Sequence, residues 1–174
     1  MGASEDDKPE AGRGLPEAVP GITASAFCLR PKSHGYVEIA STDPAVSPRL
    51  VPQWFSAPED RVTIQRAIRK VREVMAQPAL APYLGEETVP GPSVQSDEEI
   101  QNAANWMIST GLHGTGTCRM GPDGEGVVDA GLRVHGVSGL YVADCSAMPT
   151  GISGNTNGPA MAFAWRAAEM IAAE

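Results

Sequence analysis

Cysteine is scarce in this 174-residue sequence: Cys28, Cys118 and Cys145 are three in number, far apart and in no C-x-x-C spacing. Neither a disulfide framework nor a zinc motif is indicated, and a reducing compartment is the modest expectation. Long apolar runs are missing too. No stretch approaches the roughly 18 consecutive apolar residues of a membrane span, and residues 1–14 lack the apolar core of a signal peptide. The expectation is a soluble, cytoplasmic chain with no membrane span. Positive charge is in short supply: 13 Lys and Arg face 21 Asp and Glu, a formal charge of −8. That balance argues against nucleic acid or an anionic membrane as partner. It is compatible with a neutral or cationic small substrate. No internal repeat is visible, and the length suits one compact domain with a real core.

Read in order, residues 1–21 are acidic and rich in Gly and Pro, a composition that cannot bury enough apolar surface to offset its ordering entropy. They are expected to form a flexible tail or loop. ITASAFCLRP (22–31) reads as a strand stopped by Pro31, and YVEIAS (36–41) as its neighbour in one sheet, from the alternation of Val37 and Ile39 against Tyr36 and Glu38. Residues 48–55 add a short, Pro-interrupted strand that belongs at an edge. A helix should begin at Ser56, with the capping-box spacing Ser56 to Glu59, Pro58 in the first turn, and Ile64, Ile68, Val71 and Met75 on one face against the sheet. Its basic residues Arg61, Arg66, Arg69, Lys70 and Arg72 read as a solvated outer face rather than a phosphate site.

Residues 77–94 are broken by Pro and Gly and read as a connector or a lid. A second capping box, Ser96 with Glu99, should start a helix with Ile100, Ala103, Ala104 and Met107 buried and with its end at Gly111. It would deliver the chain to His113. After glycine turns, GLYVAD (139–144) reads as a strand inside a covered sheet, with Asp144 at its end. A last helix should start near Asn157 or Gly158, with Pro159 in its first turn. Its Met161, Phe163, Ala164, Trp165, Ala168 and Ile171 are apolar over a wide arc, the pattern of a mostly buried helix.

The chemistry-bearing stretch is 113–160: HGTGTCRMG, then VVDAGLRVHGVSGLYVADCSAMPTGISGNTNGPA. Histidine in a Gly-rich turn suits a base near neutral pH, because imidazole titrates in that range, although a histidine without context is more often structural. Zinc held by Cys118, His113 and His135 fits no familiar ligand spacing. Asp144, Ser146 and His113 resemble a hydrolase triad on paper only, since no G-x-S-x-G elbow surrounds any serine. Asp144 could simply cap a turn.

These two blocks, in this order, resemble the glucose-methanol-choline (GMC) family of FAD oxidoreductases, which includes choline dehydrogenase and aryl-alcohol oxidase. RPKSHGYVEIASTDP and APEDRV upstream are similar to the family's substrate domain, so the resemblance runs from about Ile22 to the end. It implies that His113 is the base and Asn155 its second site residue, the latter holding the hydroxyl or the developing alkoxide. It implies that Asp144, Cys145, Asn157, Pro159 and Ala160 line the FAD. Cys145 stands where many members carry alanine, and Gly158 and Ala160 stand where alanine and threonine are common.

The family's G-x-G-x-x-G turn, which seats the ADP moiety on a helix amino terminus, occurs nowhere in the sequence. The expected fold class is therefore α+β. It comprises an antiparallel substrate-domain sheet with covering helices (22–120), and the final strand and helix of an FAD-binding domain whose main part is absent (121–174). The implied function is the carboxy-terminal catalytic lobe of an FAD-dependent enzyme that oxidises a small alcohol by hydride transfer to flavin. Its expected partner is an amino-terminal FAD-binding half, and no metal is implied. The competing reading is an inactive fragment, or a cofactor-free binding or scaffold protein that retains the fold.

Overall fold

Proline decides where the first helix begins. The residue before a proline is pushed out of the helical region by the pyrrolidine ring, and Ala57, ahead of Pro58, is extended at φ −84° and ψ 132°. In the computed structural model, which describes residues 20–173, helix α1 therefore spans Pro58–Met75 with Ala57 as its N-cap and no side-chain capping bond. The capping box expected at Ser56 does not form, because it needs Ala57 in the first helical turn. The segment expected to be a tail or loop, 1–21, lies outside the described residues except for Pro20 and Gly21.

At the second helix, α2 (Asp97–Met107), no proline intervenes and the box closes. Ser96 Oγ accepts from the Glu99 N–H, and the Glu99 carboxylate accepts from the Ser96 N–H. The Ser96 and Gln95 N–H groups bonded to that carboxylate hold it below its ordinary pKa. Ile100, Ala103 and Ala104 are buried as the periodicity requires. The helix stops before Gly111, because Ile108 turns extended at ψ 137°.

Contacts divide the described residues into two compact units, one of 20–28 and 55–110, the other of 29–54 and 111–173. In the first, α1 packs on α2. Segment 22–28, expected as a strand, runs without a ladder, and Ala24 and Ser25 line a cleft with Lys70, Val71, Val74 and Met75 of α1. A strand needs a neighbour for its N–H and C=O groups, and no described strand pairs with this segment. The connector 77–94, with one 3₁₀ turn at Ala81–Tyr83, is clamped to α1 by Arg72. Its guanidinium meets Glu87 through two bonds of 2.8 and 2.9 Å and also reaches the Val94 and Gly91 carbonyls. Arg72 is thus a half-buried clamp and not part of a solvated face. Arg69 is similarly paired with Asp97 at 2.5 Å.

In the second unit, β1 (Tyr36–Glu38) and β2 (Arg49–Val51) pair antiparallel, with Val37 opposite Leu50. The expected sheet with covering helices is, among the described residues, a two-stranded ribbon, and Val37 and Leu50 on it are exposed. The unit's core is Val128, Leu132, Ala147 and Ala167, with Met120, Val134, Val142, Ala143 and Phe163 packed around it. GLYVAD is not a strand; Tyr141 makes a single isolated bridge to Arg133. The last helix, α3 (Asn157–Ala172), begins where expected. It is not mostly buried: Ala167 is enclosed and Phe163 half-buried, whereas Met161 is 61% and Trp165 73% exposed. Among the described residues no helix is long and apolar enough to cross a membrane.

The two serines give a direct test of the capping argument. Ser96→Ala removes a made capping bond and is expected to destabilise the fold by about 1 kcal/mol, whereas Ser56→Ala should change it by less than about 0.5 kcal/mol. Urea unfolding of both variants measures the difference, and equal losses would contradict the assigned helix starts.

Candidate functional site

The loop that carries His113 is built by backbone hydrogen bonding rather than by a regular element. Gly116, Cys118 and Met120 donate their N–H groups to the carbonyls of Cys145, Ser146 and Ala147, at 3.3, 2.9 and 2.9 Å. Gly121 N–H and Val128 C=O continue the lacing at 2.9 Å. Gly126 is required at this point: a Cβ there would stand 2.5 Å from the Gly121 nitrogen. Leu112, just before His113, is left-handed at φ 58°, a conformation that costs a non-glycine residue about 1 kcal/mol or more and recurs at functional turns.

On the other side, residues 145–147 form a 3₁₀ turn whose N-cap is Asp144; its Oδ1 accepts from the Ser146 N–H at 2.7 Å. Bonds from the Ser146 side chain and backbone hold the Asp144 carboxyl below the ordinary carboxylate value. Asp144 does cap a turn, as one reading of the sequence had it, and it remains exposed. Cys145 is half-buried, and Cys28, Cys118 and Cys145 are all free thiols.

At the start of α3 the Asn155 Oδ1 accepts from the Asn157 N–H at 3.0 Å. Thr156 already has helical angles, φ −81° and ψ −12°, and its carbonyl accepts from the Ala160 N–H at 2.8 Å. Asn155 is therefore the side chain that caps the helix. The atom facing the Asn157 N–H must be the carboxamide oxygen, so the Nδ2 group is left as a donor. Asn157, Pro159 and Ala160 make the first turn, whose amino end carries the positive pole of the helix dipole. A Cβ built on Gly158 would meet nothing within 4 Å.

Thr156 joins these parts: His113 Nδ1 lies 2.7 Å from Thr156 Oγ1. Of the residues singled out in the sequence, His113 and the Asn155–Ala160 turn are thus brought to one place, and Asp144 and Cys145 sit on the turn to which the histidine loop is laced. Thr156 itself was not found by sequence reasoning. Between two asparagines it reads as part of a helix start, and nothing in its spacing announces a partner 43 residues away. The hydrolase triad is not assembled, since Asp144 bonds Ser146 and the His113 Nδ1 meets Thr156. Among the described residues no group of His, Cys, Asp and Glu could hold a metal ion. His135 is a structural tie, its Nε2 donating to the Gly121 carbonyl at 2.9 Å.

Three comparisons bear on this arrangement. The model of a family described as GMC oxidoreductase, for its carboxy-terminal part, matches residues 31–164. The chain is 40% identical over 153 residues to an oxygen-dependent choline dehydrogenase of Proteus mirabilis, covering 88% of this chain and 28% of that protein. Among solved structures it is similar to pyridoxine 4-oxidase from Mesorbium loti, with TM-score 0.78 and 29% identity over 84% of this chain and 28% of the other. It is also similar to an FAD-dependent oxidoreductase from Chaetomium thermophilum, with TM-score 0.76 and 35% identity over 82% and 25%. The chain spans between 25% and 28% of the length of these proteins.

The Asp144 turn makes a prediction in acid. Its carboxyl sits below 3.8 in the fold, so its stabilisation is complete above that pH and is lost as pH falls through the lowered value. Asp144→Asn keeps an acceptor for Ser146 but does not titrate. Its stability deficit against the parent chain, measured by denaturant unfolding, should be constant near neutral pH and shrink below 3.8. A deficit indifferent to acid would contradict the capping role.

Proposed function

The chain belongs to the GMC oxidoreductase family, and from that premise we propose that it is the carboxy-terminal catalytic lobe of an FAD-dependent oxidoreductase acting on the CH–OH group of a small alcohol. The observation that carries the reading is the junction of His113 with the Asn155–Ala160 helix start through Thr156. His113 and Asn155 are both exposed beside the positive end of α3. The choline dehydrogenase among its relatives makes choline the first alcohol to try, and the chain's acidic balance is compatible with a cation.

His113 takes the hydroxyl proton through Nε2, the ring nitrogen that faces away from Thr156. Asn155 Nδ2 donates to the oxygen as charge develops on it, a contact that strengthens toward the transition state. FAD, when bound, supplies the acceptor for the hydride that leaves the alcohol carbon. The residues present fit that cofactor. The amino end of α3 favours an electron-rich edge, the open space at Gly158 admits close approach, and Asp144, Cys145, Asn157, Pro159 and Ala160 form its contact surface.

The exposed apolar arc of α3, Met161, Trp165 and Ile171, is the surface expected to seat an amino-terminal FAD-binding part bearing the G-x-G-x-x-G turn. A patch of that kind is unusual on a surface left open to water. GLYVAD then gains the neighbouring strands that it lacks alone, and the division into a substrate part (22–120) and a flavin-domain return (121–174) belongs to the same proposal.

In the chain completed with its FAD-binding part, His113→Ala is expected to lower turnover of the alcohol by about 10²- to 10⁴-fold, the usual worth of a positioned general base, with flavin absorbance retained. Steady-state kinetics beside a flavin spectrum make the test. Unchanged turnover removes His113 from the base role.

A further inference from the structure

We infer that Thr156 is the positioning residue of His113: its hydroxyl holds Nδ1 in the protonated form, so that Nε2 presents its lone pair outward. The inference rests on the reading of His113 as the base, and it concerns how the ring is held. Thr156 is 8% exposed, one of two buried polar or charged residues among those described. A Ser or Thr at a helix start ordinarily spends its hydroxyl on a first-turn N–H. Here that work is done by Asn155, and Thr156 makes no side-chain capping bond. Its backbone is pinned in the first turn by the Ala160 N–H. The hydroxyl is thereby released toward a residue 43 positions away, and His113 Nδ1 meets it at 2.7 Å.

A hydroxyl suits a base that must cycle. A hydroxyl can donate as well as accept, and accepting from Nδ1–H in the neutral ring is the arrangement that needs no reversal when the ring is charged and both nitrogens donate. Thr156 therefore holds the ring in one plane through proton uptake and release without ionising. His135, in the same unit, carries the opposite arrangement: its Nε2 faces the Gly121 carbonyl, which can only accept, so its proton must sit on Nε2.

Nitrogen-15 NMR of the ring nitrogens of this chain, at a pH where the histidines are neutral, tests the inference with His135 as internal reference. His113 is expected as the Nδ1–H tautomer and His135 as Nε2–H. Thr156→Val keeps the shape and removes the hydroxyl, and should move His113 from mainly Nδ1–H to mainly Nε2–H while His135 stays as it was. Thr156→Ser should restore the parent signature. A parent His113 in the Nε2–H form overturns the inference, as does a folded valine variant with an unchanged ring. If the His135 signature is lost in the valine variant, that variant has not folded, and the parent and serine spectra decide alone. The outcome is independent of the base assignment, since failure of His113→Ala to slow turnover would end that assignment and leave the tautomer result standing.

Discussion

The short backbone ladder between 116–120 and 145–147 is the constraint on which the rest of the second unit depends. It fixes a loop with no helix or strand of its own against a turn that Asp144 caps. The core residue Ala147 lies inside that turn, against Ala167 of α3. Hydrogen bonds thus tie the histidine loop to the Asp144 turn, and the apolar cluster of Ala147 and Ala167 joins the last helix to both. The bond from His113 to Thr156 closes the arrangement. Shifting any of the three would misdirect the histidine, which is why a site so exposed can still be geometrically defined.

Where local chemistry decides structure, the sequence was readable. The Ser96 box, the buried face of α2 and the start of α3 all follow from residues within one turn of each other. Where a longer-range partner decides, reading stopped. Segments 22–31 and 139–144 have the composition of strands, but a ladder needs a neighbour: the first pairs with no described strand, and the second makes one isolated bridge, from Tyr141 to Arg133. Ser56 failed for a local reason that outranked its own: the proline rule on Ala57 is steric, and a capping box cannot override it. Arg72 looked like surface charge because its partners, Glu87, Gly91 and Val94, are brought back by a connector without periodicity. At the candidate site, His113 and Asn155 were singled out through the resemblance of their blocks. The contact of Thr156 with His113 was not foreseen, because it joins residues 43 positions apart.

The apolar pattern of α3 and its exposure belong together. Its residues are composed for a buried helix, yet Met161 and Trp165 face outward, while the chain spans little more than a quarter of its relatives. Part of the apolar surface of α3 is left uncovered by the described residues. In the chemistry proposed for it, His113, Asn155 and the start of α3 act on the alcohol, and FAD, when bound, would supply the hydride acceptor.

The central claim, that this lobe completes a flavoenzyme, is tested most directly by visible absorption. The chain is mixed with FAD and an amino-terminal FAD-binding part from one of its relatives, freed of unbound cofactor, and then given choline. The account predicts a flavin band that is retained by the mixture and bleaches when the alcohol is added without oxygen. A mixture that retains flavin but never bleaches with choline or any other small alcohol, or one that retains no flavin, would contradict it.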